Sequence, residues 1–184
     1  FVSHPEVVVD PATPIERWHL SPHGIERMRR FANSPRLENV DAVWASTETK
    51  AIEAAGILAG RLGIGVRVCE RLGENDRSAT GFLPPLEFEE TADAFFSYPE
   101  RSIRGWERAV DAQRRVHQAV SNIIERHDGS DVAIIAHGGV GTLMLCALSG
   151  QPINRRFDQP FQGHVWEATL PNCVVTEGWR SITP

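Results

Sequence analysis

Cysteine, basic charge and long apolar runs are all scarce in this chain. Only three cysteines occur among 184 residues, Cys69, Cys146 and Cys173, widely spaced and with no C-x-x-C. That pattern supports neither a disulfide framework nor a zinc ribbon, and it reads as three reduced thiols of an intracellular protein. Acidic residues outnumber basic ones, for a net charge of −5, whereas a nucleic-acid binder needs a basic face. No apolar run approaches the length of a membrane span. No signal-peptide pattern opens the chain, so the expected location is cytoplasmic. Several motifs are missing too. Without G-x-x-x-x-G-K-[ST] there is no phosphate-binding P-loop. Without G-x-S-x-G an α/β-hydrolase triad has no nucleophile. Nothing matches H-E-x-x-H. His19 and His23 are four residues apart, but Pro22 lies between them, so they read as surface histidines and no metal site is expected.

What is present is an alternation of strand-like and helix-like segments. An apolar fraction of 41% against 23% charged residues describes a globular protein of one domain over residues 1–184. Phe1–His4 looks like the end of a strand, one expected to begin a few residues upstream. Ser21 as N-cap and Pro22 at the first position predict a helix to Ala32. Strands are predicted at Val40–Ala45 and Val66–Cys69. Between them lies a helix over Thr49–Leu62, ended by Gly63. A long helix is predicted over Arg104–His127, with Trp106, Ala109, Val116, Val120 and Ile123 on one face. Val132–Ala136 has the continuous apolar character of a central parallel strand. A helix over Val140–Leu148 and two closing strands, Val165–Leu170 and Cys173–Glu177, complete the chain. This order predicts a three-layer α/β/α fold around a mostly parallel sheet.

Residues 77–105 interrupt that rhythm. Pro84-Pro85 and a helix carrying Phe88, Ala92, Phe95 and Phe96 on one side read either as core packing or as a lid over the sheet's carboxyl edge. Arg27, Arg29 and Arg30 read as a solvated helix face, as do Glu87, Glu89 and Glu90. His164 reads as a surface residue, and Trp18 and Trp106 as packing residues.

Two histidines stand at predicted strand ends, His4 before Pro5-Glu6 and His137 before Gly138-Gly139. Parallel strands bring such ends to one edge, where two imidazoles can share an anion. Glycines after His137 let backbone N–H groups approach that anion at a helix N-terminus. The stretches Ser3-His4-Pro5-Glu6, Trp18 with Leu20-Ser21-Pro22-His23-Gly24, Ala45-Ser46-Thr47-Glu48-Thr49-Lys50-Ala51-Ile52-Glu53-Ala54-Ala55, Leu72-Gly73-Glu74 and His137-Gly138-Gly139 follow one another along nearly the whole chain. Together they resemble the histidine phosphatase superfamily, also called phosphoglycerate mutase-like.

The resemblance implies that His4 attacks phosphorus and becomes a phosphohistidine. It implies that His137 hydrogen-bonds the phosphoryl group and that Glu74 protonates the leaving oxygen, with no metal or organic cofactor. The substrate would be a phosphorylated small molecule or a phosphoprotein, and the reaction hydrolysis of a phosphomonoester. Mutase chemistry is disfavoured by the short chain.

Departures from the family pattern fall in the phosphate clamp. Ser3 stands where the family has arginine, Pro5 where it has glycine, and Lys50 where it has a second arginine. Lysine keeps the charge without the bidentate fork. Arg77 is the candidate replacement guanidinium, and Ser3, Lys50, Arg77 and Gly138 are the expected phosphate contacts. A weakly catalytic member that binds a phosphorylated ligand or protein partner is the alternative reading.

Overall fold

The computed structural model describes residues 1–183. Its centre is a six-stranded sheet built from β1 (Val2–Ser3), β2 (Val40–Ala45), β3 (Val66–Val68), β4 (Asp131–Ala136), β5 (His164–Thr169) and β6 (Val174–Ser181). The spatial order is β3-β2-β4-β1-β5-β6. Strands β1 to β4 run parallel to one another, β5 pairs antiparallel with β1, and β6 pairs antiparallel with β5. Helices α1 (Pro22–Ala32), α2 (Thr49–Leu62), α3 (Pro85–Ser97), α4 (Ala109–Glu125) and α5 (Gly138–Leu148) provide the outer layers.

Successive side chains of β4 face opposite sides of the sheet, as the strand's two-residue period requires. Ile134 and Ala136 join a core with Phe95 of α3, Val116 and Val120 of α4 and Leu143 of α5. Ala133 and Ile135 join a second core with Met28 and Phe31 of α1 and Leu58 of α2. Burial on both faces explains why this strand reads as an unbroken apolar run.

Local signals place the helix ends. The Ser21 Oγ accepts a hydrogen bond from the Gly24 N–H at 3.0 Å. Gly63 closes α2 at φ 71°, where a residue with a Cβ would be strained. The long helix differs from its sequence reading. It starts at Ala109 and not at Arg104, because Arg104 (φ 53°) and Gly105 (φ 84°) turn the chain left-handed. Trp106 therefore lies in the turn before α4. It is still buried, with its Nε1–H donating to Thr80 Oγ1 at 2.8 Å. The last helix begins at Gly138, two residues earlier than its apolar residues suggest.

The aromatic face of α3 turns inward. Ala92, Phe95 and Phe96 are buried, and Phe95 and Phe96 pack with Leu72 and Trp106, so this face serves the core. Two side chains correct their sequence readings. Arg27 is buried and not solvated: its guanidinium reaches Glu6 Oε1 (2.6 Å), the Gln162 and Gly163 carbonyls (2.9 and 3.0 Å), Ser181 Oγ (3.1 Å) and Thr183 Oγ1 (3.0 Å). Amphipathic spacing had no access to these partners, which come from distant parts of the chain. His164 is buried as well, because β5 lies inside the sheet against β1 and its ring meets the edge of Phe161 at 4.5 Å. Among the described residues no helix is long and apolar enough to cross a membrane.

Candidate active site

Register brings the two histidines together. Ser3 pairs with Ala136 in the parallel β1/β4 ladder, so the next residue on each strand, His4 and His137, leaves the same carboxyl edge. The His4 N–H donates to the Ala136 carbonyl at 3.0 Å. The two rings meet edge to face, with centroids 5.2 Å apart and planes at 71°.

His4 Nδ1 lies 2.8 Å from the Pro5 carbonyl. A carbonyl can only accept, so this contact holds the proton on Nδ1 and leaves the Nε2 lone pair free. Burial, followed by the positive charge of Lys50, lowers the His4 pKa to about 4. The ring is therefore a neutral imidazole at neutral pH, the form that can attack phosphorus. His137 also lies well below the ordinary histidine value, chiefly because of burial. Its Nε2 contacts Ser46 Oγ at 2.7 Å and Glu48 Oε1 at 3.1 Å.

Glu74 follows a short 3₁₀ turn, Glu70–Leu72, and reaches across to the start of α5. Its Oε2 accepts from the Gly139 N–H at 3.1 Å and its Oε1 from the Val140 N–H at 3.0 Å. Gly139 is needed for this approach, since a Cβ there would stand 2.7 Å from Glu74 Oε1. Arg115 of α4 fixes the segment from behind, donating to the carbonyls of Arg71 (2.8 Å), Gly73 (3.0 Å) and Glu74 (3.1 Å) while paired with Glu107.

Lys50 is buried and donates to the Ile15 carbonyl at 2.8 Å and to Glu48 Oε2. Glu48 also accepts the Glu74 N–H at 2.9 Å. Burial opposes ionisation of Glu48, but His137 and Lys50 outweigh it and hold its pKa near 2. Arg77 makes no ion pair with Asp76 or Glu74. Its guanidinium lies over the Phe88 ring (5.2 Å) and the Trp106 ring (5.6 Å), and its charge is among those that lower both histidines.

Ser3 is tied sideways: its Oγ bonds the Gln159 side-chain oxygen and accepts the His164 N–H at 3.0 Å. The Gln159 amide covers Gly138, where a Cβ would stand 2.2 Å from Nε2. The structure thus gathers His4, His137, Glu74, Lys50 and Arg77 around one edge, while Ser3 and Gly138 are engaged by Gln159. Sequence reasoning missed Ser46, Glu48, Gln159 and Arg115 as members of this site. Only Glu48 left a signal, an acid two residues before the clamp lysine. A cavity of about 480 Å³ opens at the other end of the sheet, between Val132 and Leu170, and contains none of these residues.

The profile of the histidine phosphatase superfamily (branch 1) matches residues 15–168. The chain belongs to that superfamily. The matched span begins after His4, so the altered first motif lies outside it. Solved structures of the same fold include Bacillus stearothermophilus YhfR, with TM-score 0.75 and 24% identity over 98% of this chain and 93% of that one. A mycobacterial glucosyl-3-phosphoglycerate phosphatase has TM-score 0.75 and 19% identity over 97% and 93%. A protein of Escherichia coli described as a putative alpha-ribazole-5′-P phosphatase has TM-score 0.75 and 16% identity over 98% and 95%. No curated protein matches this sequence.

Proposed function

We propose that this histidine phosphatase superfamily member hydrolyses phosphomonoesters through a phosphohistidine at His4. One observation carries the reading: the Pro5 carbonyl binds His4 Nδ1, which leaves Nε2 as the nucleophile beside the His137 ring. In the first step Nε2 attacks phosphorus, the bond from phosphorus to the leaving oxygen breaks, and Glu74 protonates that oxygen. In the second step water attacks the phosphohistidine and gives its proton back to Glu74. The P–N bond breaks and inorganic phosphate leaves. Lys50 and Arg77 provide the positive charge that the phosphoryl oxygens need, and charge stabilisation is the main requirement of phosphoryl transfer. The test is hydrolysis of an aryl phosphate between about pH 5 and 8, with and without EDTA. Metal-independent turnover that vanishes in His4→Ala is the expected result. Turnover that survives in His4→Ala overturns the mechanism.

The short clamp favours a second reading, a member that binds a phosphorylated ligand with little turnover. Ser3 carries no charge, and Glu48 is paired with Lys50. In that case His4→Ala leaves phosphate affinity nearly intact, and wild type accumulates no phosphohistidine.

A further inference from the structure

The cationic side of the site contains an anion of its own. Glu48 is 9% exposed. One of its carboxylate oxygens takes the Lys50 ammonium. The other lies 3.1 Å from His137 Nε2 and accepts the Glu74 N–H. Both oxygens point at groups that a phosphoryl group would otherwise use.

The charges around this carboxylate come from several elements. Lys50 projects from α2, His4 and His137 from the ends of β1 and β4, Arg115 from α4, and Arg77 from the loop before α3. Both histidines are neutral. Arg115 is compensated by Glu107, which it meets at 2.8 Å. Lys50 and Arg77 remain as cations, and Glu48 cancels one of them. When Glu74 carries the proton it delivers, the site holds one net positive charge. That balances a phosphoryl group with a single negative charge. A dianion would leave one charge uncompensated in a site where His4 is 8% exposed, and buried uncompensated charge is costly.

We propose that Glu48 is a specificity-determining residue, an internal anion that fits the pocket to singly charged phosphoryl groups and makes it discriminate against dianions. The idea rests on the phosphatase reading for the location of the pocket. It does not depend on turnover.

The probes are sulfate and methyl sulfate, tetrahedral ions whose charges of about −2 and −1 do not change across neutral pH. Binding to wild type and to Glu48→Gln is measured by titration calorimetry at pH 7. Wild type is expected to bind methyl sulfate at least tenfold more tightly than sulfate. Glu48→Gln is expected to gain at least tenfold in sulfate affinity and to lose that preference. A double variant, Glu48→Gln with Lys50→Gln, restores the charge count and is expected to recover the wild-type ratio.

Equal affinities in wild type, or a ratio unchanged in Glu48→Gln, overturn the proposal, as does a failure of both proteins to bind either ion. Should Glu48→Gln not fold, the wild-type ratio alone decides. The phosphatase reading fails separately: an intact ratio with no phosphohistidine on His4 removes the enzyme and leaves the charge selection standing.

Discussion

Glu74 caps the first turn of α5 at Val140, its Oε1 accepting the Val140 N–H at 3.0 Å while Oε2 takes the Gly139 N–H at 3.1 Å. One carboxyl group therefore has two jobs, holding a helix start and facing the phosphoryl site. Glu74→Gln separates them, because an amide oxygen still accepts from one N–H but cannot deliver a proton. For alkyl phosphates, whose leaving oxygen needs that proton, kcat should fall by about 10²–10⁴. For an aryl phosphate with an acidic phenol the loss should be much smaller. Stability should drop by about 1 kcal/mol, the usual cost of a weakened cap. Comparing kcat for the two leaving groups, with urea unfolding alongside, checks both. Equal losses for both substrates would remove Glu74 as the acid.

The titration of His4 can be followed directly. Its pKa of about 4 lies below the ordinary 6.5, so the unfolded chain takes up this proton first. The stability linked to the neutral ring is present above pH 6.5 and is lost as pH falls toward 4, about 3 kcal/mol in all. Glu48, depressed from 4.5 to about 2, adds a second loss between those two values. The expected outcome is a His4 ring resonance that does not move between pH 8 and 5. Urea midpoints should decline steadily below pH 6.5, less steeply in His4→Gln. A His4 midpoint near 6.5 by NMR contradicts the burial argument.

Arg77 has no ion-pair partner among the described residues, and its guanidinium lies on Phe88 and Trp106. A charge-assisted hydrogen bond to a phosphoryl oxygen is worth about 1.5–3 kcal/mol. Arg77→Ala should therefore lower kcat/KM by about 10- to 100-fold. Arg77→Lys should recover little, because an ammonium neither stacks on the two rings nor offers a fork. The thermal midpoint should hardly change in either variant. Steady-state kinetics with wild-type controls measures the effect, and full activity in Arg77→Ala would place the guanidinium outside the reaction.

Local chemistry made the frame of this molecule legible in its sequence. Ser21, Gly63 and the apolar run ending at Ala136 each act through neighbours a few residues away, and each does what its local rule dictates. His4 and His137 were legible for the same reason, since a strand end followed by turn residues fixes an edge position. The misread residues depend on partners far along the chain. Arg27 satisfies the pattern of an exposed helix face until Gln162, Gly163 and Ser181 arrive around it. His164 opens β5, a strand whose place beside β1 is set by topology. Glu48 is an ordinary pre-helical acid until the folded sheet puts His137 and the Glu74 N–H against it.

Arg27 offers the sharpest test of how the two ends of the chain are held together. It sits on α1, yet its five contacts reach Glu6 near the start and Gln162, Gly163, Ser181 and Thr183 near the end. Gly163 also donates its N–H to the His4 carbonyl at 3.0 Å, so the guanidinium braces the segment behind the nucleophile. Removing one partner of a fully buried ion pair costs about 3–5 kcal/mol, because the other charge is left without compensation; Glu6 is partly exposed, so about 2–3 kcal/mol is expected here. In Arg27→Met the stranded group is Glu6, whose second oxygen, Oε2, is already buried without a hydrogen bond. The thermal midpoint should fall by roughly 4–12 °C for a chain of this size. Arg27→Met with Glu6→Gln should recover part of that, since the double variant buries no lone charge. If Arg27→Met unfolds within about 2 °C of wild type, on the same scale, the network is ornamental and the brace behind His4 lies elsewhere.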